Sequence, residues 1–257
     1  MTINRALSIL VHGDSKVGKS TLGNSTPAPR LLVDAEAAYR FLPEHMQPGK
    51  MIFWDPHTEN PPEAGEWETC VVKTFDFATM KRVLEWLNSG VHPFRSVTID
   101  SISEIQSRAK DDLTSSGKMT QQLWGDLLYE MDKLVRGFRD LTEHPTKPLE
   151  AVVLTAMTQA QKDGKYRPYV QGQLAVKLPY FLDVLGYLYV DNVQDPSDPT
   201  APAKPVRRLL VAPHDLFQAG ERVGGRLGTV VTNPKVTDML DAVFGSETNH
   251  DEQEKTE

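Results

Sequence analysis

Near the start of the chain, the stretch GDSKVGKS (Gly13–Ser20) matches the pattern G-x-x-x-x-G-K-[ST] in full. An apolar segment, Ala6–His12, precedes it, so we expect a buried strand, a glycine-rich turn and then a short helix. In such a turn the backbone N–H groups point at phosphate oxygens, helped by the helix N-terminus. The pattern therefore predicts a nucleotide site in which Lys19 reaches the β- and γ-phosphates and Ser20 binds Mg²⁺. The residues that we expect at the phosphates are Gly13, Asp14, Ser15, Lys16, Val17, Gly18, Lys19, Ser20 and Thr21.

Strand and helix patterns alternate along the rest of the chain. The segments Arg30–Glu36, Phe94–Ser101 and Glu150–Met157 are apolar strand candidates, while Phe77–Asn88 and Thr120–His144 carry apolar residues at helical spacing. This alternation predicts an α/β fold with a mostly parallel central sheet flanked by helices. Ligands of such folds sit at the carboxyl edge of the strands.

Three further expectations concern the ends of elements. Asp76 should cap the helix that starts at Phe77. A strand is expected over Phe181–Val190, after a polar loop, and Asn233-Pro234 should cap a last helix that ends at Phe244.

Length and charge limit the organisation of the chain. Its 257 residues suit one α/β domain, which we expect over residues 1–245, followed by an acidic disordered tail over residues 246–257. The tail holds five acids and one Lys, so more than half of the net charge of −7 lies there and the body is only mildly acidic. No apolar run approaches the ~18 residues of a membrane span, and the N-terminus lacks the apolar core of a signal peptide. We therefore expect no membrane partner. Cys70 is the only cysteine, which excludes an internal disulfide and favours a cytoplasmic protein.

Two acids are candidates for chemistry at the phosphates. Asp100 ends the apolar segment Ser96–Asp100 and is the expected Mg²⁺ ligand; the alternative is a helix cap, for which Ser101 is the more natural residue. Asp34 and Glu36 end a strand that we expect to neighbour the first one, which makes Glu36 the candidate base opposite the γ-phosphate. The alternative for Glu36 is a solvated loop acid.

The segments GDSKVGKST, LLVDAEAA and SVTIDSIS, in this order, resemble the RecA-like recombination ATPases. The short first helix and the brief gap before VDAE are more similar to compact phage-encoded members, the Sak-group single-strand annealing ATPases. The resemblance implies a RecA-like P-loop NTPase core that uses ATP and Mg²⁺, with Glu36 as the catalytic glutamate. It also implies a homo-oligomer, ring or filament, that binds single-stranded DNA and promotes annealing in phage recombination. A single-strand-binding protein is a further implied partner, and the cytoplasm of an infected bacterium is the implied location.

The resemblance extends into the C-terminal half of the chain. After the segment Glu150–Met157 the family carries a polar γ-phosphate sensor; Met157 departs from this pattern, so Thr158 or Gln159 is the candidate. The following loop, Gln161–Lys177, takes the position of the family's DNA-binding loop and mixes cations with aromatic rings, as a single-strand track does. Its candidate DNA-binding residues are Lys162, Lys165, Tyr166, Arg167, Tyr169 and Lys177. The alternative is an ordinary exposed loop.

A last point of similarity is the segment FQAGERVGGRLG (Phe217–Gly228). It is similar to a segment near the end of the phage proteins, with Gly220 in place of the family's Lys and Arg222 at the position of its Arg. The resemblance implies that Arg222 acts in trans on the phosphates of a neighbouring subunit. The alternative is a surface cation.

Two other classes of function stay open at this point. A small-molecule kinase, such as a nucleotide kinase, carries the same glycine-rich pattern but needs several Arg close together at the phosphates. Arg207-Arg208 is the only adjacent Arg pair, and it lies in a strand candidate. A non-catalytic, nucleotide-gated scaffold for replication proteins would bind ATP without turnover, and substitution of Glu36 would then leave the turnover unchanged.

Overall fold

The computed structural model describes residues 4–114, 117–194, 197, 200 and 202–246. The strands are β1 (Leu7–Gly13), β2 (Arg30–Asp34), β3 (Met51–Phe53), β4 (Thr69–Lys73), β5 (Ser96–Asp100), β6 (Ala151–Ala160), β7 (Tyr166–Pro168), β8 (Val184–Val193), β9 (Lys204–Leu210), β10 (Gly220–Glu221) and β11 (Val230–Thr232). The α-helices are α1 (Lys19–Gly23), α2 (Phe77–Asn88), α3 (Ile102–Thr114), α4 (Gln121–Asp140), α5 (Leu174–Phe181) and α6 (Val236–Phe244). Short 3₁₀ turns cover Ala38–Phe41, Pro43–Met46 and Leu141–Glu143.

The described strands form one 11-stranded sheet with the order β11-β9-β8-β1-β6-β5-β2-β4-β3, with β10 beside β8 and β7 beside β6. All pairs from β8 through β1 to β3 are parallel, while β9, β10, β11 and β7 pair antiparallel. The predicted mostly parallel sheet is therefore confirmed.

One predicted neighbour in this sheet is wrong. Strand β2 does not lie beside β1, because β6 and β5 stand between them. The reason is that both edges of β1 are occupied by strands from later in the chain, β6 on one side and β8 on the other. The carboxyl ends of β1, β6, β5 and β2 consequently form a row along one edge of the sheet.

Helices cover both faces of the sheet, and the alternation within β1 shows why. Leu10 packs into a cluster that includes Met80 of α2 and Met131 of α4, whereas Ile9 and Val11 pack on the opposite face with Leu240 of α6. Successive side chains of a strand point to opposite faces, so a strand that is apolar at every position needs cover on both sides. The predicted flanking helices are confirmed by this arrangement.

The structure agrees with the sequence on the cap and range of α2, but not on the start of the strand expected from Phe181. Asp76 caps α2, its carboxylate accepting a hydrogen bond from the N–H of Thr79 at 2.7 Å. The strand expected from Phe181 begins only at Val184, because Leu174, Leu178 and Phe181 are buried on one side of α5. Helix α2 covers the predicted range Phe77–Asn88.

The last helix is capped from elsewhere in the chain. Its N-cap is Lys235 rather than Asn233-Pro234, and the side chain of Lys235 makes no capping bond. Instead, the hydroxyl of Ser25 accepts a hydrogen bond from the N–H of Val236 at 2.9 Å. The predicted end at Phe244 is correct.

Two remaining expectations concern the ends of the chain and membranes. Most of the predicted acidic tail, residues 247–257, lies outside the described residues, so the division of the chain after residue 245 stays a prediction. Within the described ranges, no helix combines the length and the apolar character that crossing a bilayer requires.

Candidate active site

A cavity of about 580 Å³ opens at the edge of the sheet where β1, β5 and β6 end. Its walls come from the phosphate loop, from the turn that follows β2, from the ends of β5 and β6, and from one residue of β9. Segments far apart in sequence therefore meet in one cavity.

Two glycines of the phosphate loop occupy positions that no other residue suits. A Cβ on Gly13 would collide with the carbonyl oxygen of Leu188 in β8, because the two backbones approach closely. Gly18, the N-cap of α1, has a φ of 106°, in the region that L side chains rarely adopt. The pattern G-x-x-x-x-G thus reflects one close approach and one left-handed residue.

Lys19 lies against the carbonyl groups of the same loop. Its Nζ donates hydrogen bonds to the carbonyl oxygens of Gly13 at 3.0 Å and Asp14 at 2.8 Å. Burial lowers the pKa of Lys19, and the nearby carboxylates of Asp100, Glu36 and Asp14 oppose that shift. The ammonium group is therefore held inside a mostly acidic surrounding.

Asp100 is only 2% exposed at the end of β5. Its Oδ1 accepts a hydrogen bond from the hydroxyl of Thr155, while Oδ2 is buried and has no hydrogen-bond partner among the described residues. Burial raises the pKa of Asp100; the hydroxyls of Ser20 and Thr155 oppose this shift, and the carboxylates of Glu36 and Asp34 add to it. A buried carboxylate oxygen without a partner is costly, and a cation at Ser20 would satisfy it.

The turn after β2 holds Glu36 in the cavity. The carboxylate of Asp34 accepts hydrogen bonds from the N–H groups of Glu36 at 2.9 Å and Tyr39 at 2.8 Å, which closes the turn. The Oε1 of Glu36 accepts a hydrogen bond from the hydroxyl of Ser101. Asp34 therefore shapes the backbone, and Glu36 is the acid of the pair that lines the cavity.

Ser101 has two partners. Besides donating to Glu36, its hydroxyl accepts a hydrogen bond from the N–H of Glu104 at 3.3 Å, which caps the start of α3. Among the described residues, no backbone N–H of α3 donates to the side chain of Asp100, so Ser101 caps α3 and Asp100 lines the cavity.

Of the two sensor candidates, the cavity is lined by Thr158 and not by Gln159. Thr158 Oγ1 lies 3.1 Å from Nδ1 of His12, whose Nε2 lies 2.7 Å from the carbonyl oxygen of Gln218. Gln159 instead accepts a hydrogen bond from Gln161 at 3.4 Å, outside the cavity. His12, which the sequence marks only as the last residue of a strand candidate, thus connects β1 to the sensor position.

The expected DNA-binding loop is a hairpin followed by a helix. Strands β6 and β7 pair through Ala160 and Tyr166, so Lys162 and Lys165 lie at the tip of this hairpin. The ring of Tyr166 lies 5.4 Å from that of Phe217.

The other three candidates of that loop have partners within the fold. Arg167 forms an ion pair with Asp163 at 2.5 Å. The N–H of Tyr169 donates to the carbonyl oxygen of Met157 at 2.7 Å. Lys177 lies on α5, because the buried side chains of Leu174, Leu178 and Phe181 favour a helix over this segment. Its Nζ lies 3.7 Å from Oδ1 of Asp132 in α4. The expectation that all six residues lie on one loop is therefore wrong.

Arg222 lies away from this cavity. It pairs with Oδ1 of Asp183 at 2.7 Å, and Oδ2 of Asp183 accepts a hydrogen bond from the N–H of Ser8 at 2.8 Å, near the amino end of β1. The arginine that lines the cavity is Arg207 of β9, whose Nε donates to the carbonyl oxygen of Val17 at 3.2 Å. Nothing in the sequence spacing signals this contact, because it depends on how β8 and β9 pair.

A second cation–aromatic surface lies on the other side of Glu36, and sequence reasoning missed it. The Nζ of Lys73 lies 4.8 Å from the ring centre of Tyr39 and 4.7 Å from that of Phe53, while the guanidinium of Arg108 lies 5.5 Å from the ring centre of Phe75. We call these five residues the Lys73 surface. Phe53 and Lys73 are the last residues of β3 and β4, Tyr39 and Phe75 follow β2 and β4, and Arg108 lies on α3, so no short segment of the sequence reveals them.

Comparisons with known proteins found a solved structure and a protein family that are similar to this chain. A solved structure titled as a prototypical ATPase from the type III secretion system of pathogenic bacteria is similar at 16% identity and a TM-score of 0.45, covering 72% of this chain. The chain spans about half of that structure, 52% of its length. No curated protein matches the chain. A family model described as an AAA domain (AAA_24) matches residues 5–223, from before β1 to after Arg222. The chain therefore belongs to this AAA domain family, and the predicted P-loop nucleoside-triphosphate hydrolase domain is confirmed.

Proposed function

We propose that the cavity binds ATP with Mg²⁺ and hydrolyses the γ-phosphate, with Glu36 as the base. The observation that carries this proposal is that Lys19, Ser20, Glu36 and Asp100 line one cavity although they come from three separate segments. Residues Gly13–Thr21 hold the phosphate chain, and Lys19 reaches the β- and γ-phosphates.

The residues present fit a magnesium ion. The partnerless Oδ2 of Asp100 and the neighbouring hydroxyl of Ser20 are oxygen ligands of the kind that Mg²⁺ prefers. When bound there, the ion neutralises charge on the phosphates. Asp100 is held for this role by Thr155, which occupies its other oxygen.

Glu36 is positioned to take the proton of the attacking water. Its backbone is fixed by Asp34 and one carboxylate oxygen is held by Ser101, which leaves the second oxygen as the acceptor. The apolar end of the cavity, formed by Ala37, Phe41 and Leu42, offers a surface for the nucleobase. Only one arginine lines the cavity in the described part of the chain, which favours hydrolysis over the arginine-rich clamp of a kinase.

ATP turnover and ATP binding separate the candidate roles. Glu36→Gln should lower kcat by a factor of about 100 or more while ATP still binds, because general-base catalysis contributes on this order. Lys19→Ala should abolish binding. Glu104→Gln is the matched control: it removes a nearby acid that forms an ion pair with Arg108 at 2.9 Å, and turnover should stay within twofold. Unchanged turnover in Glu36→Gln would contradict the assignment and favour the nucleotide-gated scaffold.

We further propose that single-stranded DNA binds at the hairpin of β6 and β7. Lys162 and Lys165 provide cations at its tip, and the rings of Tyr166 and Phe217, tilted at 34° to each other, provide an aromatic surface for bases. The hairpin is connected to the cavity, since β6 also carries Thr158. Together with the resemblance to the Sak group, this supports a homo-oligomer that anneals DNA in phage recombination. A single-strand-binding protein would assist it in the cytoplasm of the infected host.

A mobility-shift titration with labelled single-stranded DNA, with and without ATP and Mg²⁺, tests this second proposal. Wild type should bind more tightly with ATP, and the affinity should fall steeply as salt increases. The double variant Lys162→Glu/Lys165→Glu should lose binding, whereas Lys73→Glu, on the Lys73 surface, should retain it. If Lys73→Glu lost DNA binding and the hairpin variant retained it, the DNA-binding site would be assigned to the Lys73 surface instead. No binding at low salt under any nucleotide condition would refute the DNA proposal and leave the ATPase proposal standing.

A further inference from the structure

The β8–β9 hairpin extends past the end of β1 and lies beside the phosphate loop. Strand β8 pairs with β1 only from Val184 to Tyr187, and then continues to Val193 with β9 as its antiparallel partner. Arg207 pairs with Val190, in the part of the hairpin beyond β1. Residues of β9 are thereby brought to the loop that holds the phosphates.

The guanidinium of Arg207 rests on the backbone of that loop. Its Nε donates to the carbonyl oxygen of Val17, and a Cβ on Gly18 would lie 2.5 Å from Nε and 3.3 Å from Cζ. The side chain of Arg207 makes no other hydrogen bond or ion pair among the described residues, so its two terminal amino groups stay available. A planar guanidinium with two such groups suits bidentate contact with phosphate oxygens.

The charges of the cavity explain why a further cation is needed there. Its walls carry three acids and three cations, namely Asp14, Glu36 and Asp100 against Lys16, Lys19 and Arg207. A nucleotide adds negative charge to a site in which acidic and basic side chains are equal in number. Without Arg207 the acids would outnumber the cations.

We propose that Arg207 binds the α- and β-phosphates of the nucleotide held by its own chain. The position follows from the contact with Val17 and Gly18, the part of the loop whose backbone cradles those two phosphates, while Lys19 reaches the β- and γ-phosphates. This inference rests on the proposed function, since it requires a nucleotide at the loop. The resemblance implied an arginine contact with the phosphates only from a neighbouring subunit, through Arg222. Arg207 would instead contact the phosphates bound by its own chain.

Binding of ADP with Mg²⁺, measured by titration calorimetry, tests the contact. Arg207→Gln keeps a hydrogen-bond donor for Val17 but removes the charge, so a purely structural role predicts wild-type affinity. We expect instead that Kd for ADP rises at least tenfold and that Kd for ATP rises by the same factor.

Arg208→Gln is the matched control. Arg208 is the next residue of β9 and points to the other face, where it pairs with Asp191 at 2.9 Å and with Thr232 at 3.2 Å. Its substitution should leave ADP binding unchanged. An equal loss in Arg208→Gln would overturn the proposal, because the effect would then belong to the hairpin and not to the phosphate contact.

Four further outcomes are decisive. ADP affinity within twofold of wild type in Arg207→Gln would refute the contact, as would a collapse of kcat with unchanged ADP affinity. Recovery of tight binding on mixing Arg207→Gln with Lys19→Ala protein would show action on a neighbouring copy and refute the contact in cis. Failure of wild type itself to bind ADP would instead refute the proposed nucleotide function.

Discussion

Acidification should destabilise the fold through the buried His12. This side chain is fully buried in β1, and burial lowers its pKa from 6.5 to about 4, with a smaller contribution from Lys19 and an opposing one from the Gln218 carbonyl. A carbonyl oxygen can only accept, so the proton of the neutral ring is on Nε2, 2.7 Å from Gln218. Nδ1 then accepts the hydrogen bond from the hydroxyl of Thr158 at 3.1 Å.

The size of the effect follows from the two pKa values. Between pH 6.5 and about 4 the unfolded chain binds a proton at His12 and the folded chain does not, so the free energy of unfolding falls as the pH falls through this range. At ~1.4 kcal/mol per pH unit across this range, the full loss is about 3.4 kcal/mol. Below pH 4 His12 is protonated in both states and contributes no further change.

Urea unfolding of wild type and His12→Gln at pH 7.0, 5.5 and 4.5 measures this contribution. The stability advantage of wild type over the variant should shrink by about 2.4 kcal/mol between pH 7.0 and pH 4.5, most of the full effect. Burial also lowers the pKa of His92 to about 4, but that residue is present in both proteins and its contribution cancels in the difference. A difference between wild type and His12→Gln that is the same at all three pH values would refute the reasoning.

Three other substitutions or modifications test separate parts of the fold. Asp76→Ala should lower the free energy of unfolding by about 1 kcal/mol in urea titrations, because the N–H of Thr79 loses its cap; no change would contradict the capping bond. Phe138→Ala should cost about 3–5 kcal/mol in the same assay, since the ring is fully buried, whereas Phe75→Ala, 68% exposed, should cost far less; equal costs would argue against this core. Burial raises the pKa of Cys70 to about 12, so iodoacetamide at pH 8 should label it only in urea, and rapid labelling of native protein, seen by mass spectrometry, would be the contrary result.

Local interactions explain what could be predicted. The range of α2 and its cap at Asp76 follow from apolar spacing and from one hydrogen bond that spans three residues. The phosphate loop could be recognised because Gly18 takes a left-handed conformation and Lys19 contacts the carbonyl groups of its own loop, both within a few residues. The segment of Asp34 and Glu36 was recognised for the same reason, because the carboxylate of Asp34 closes its own turn.

Interactions between distant segments explain what could not. Strand β2 was expected beside β1, yet the sheet inserts β6 and β5, since strand pairing depends on the whole set of apolar strands and not on chain order. The same holds for the cap of α6, which comes from Ser25. Lys177 was expected on a loop but lies on α5, because Leu174, Leu178 and Phe181 bury one face of that helix.

The sequence alone predicted a phosphate-binding loop at Gly13–Ser20 and identified Asp34 and Asp100 as acids at the ends of two strands, because these features depend on neighbours a few residues away. The tertiary structure decided which of those groups share a cavity and which cation accompanies Lys19. Arg207 reaches Val17 across 190 residues of sequence, and His12 reaches Gln218 across 206. Such contacts arise from the pairing of β8 with β1 and β9, and no local pattern encodes a pairing between strands that far apart.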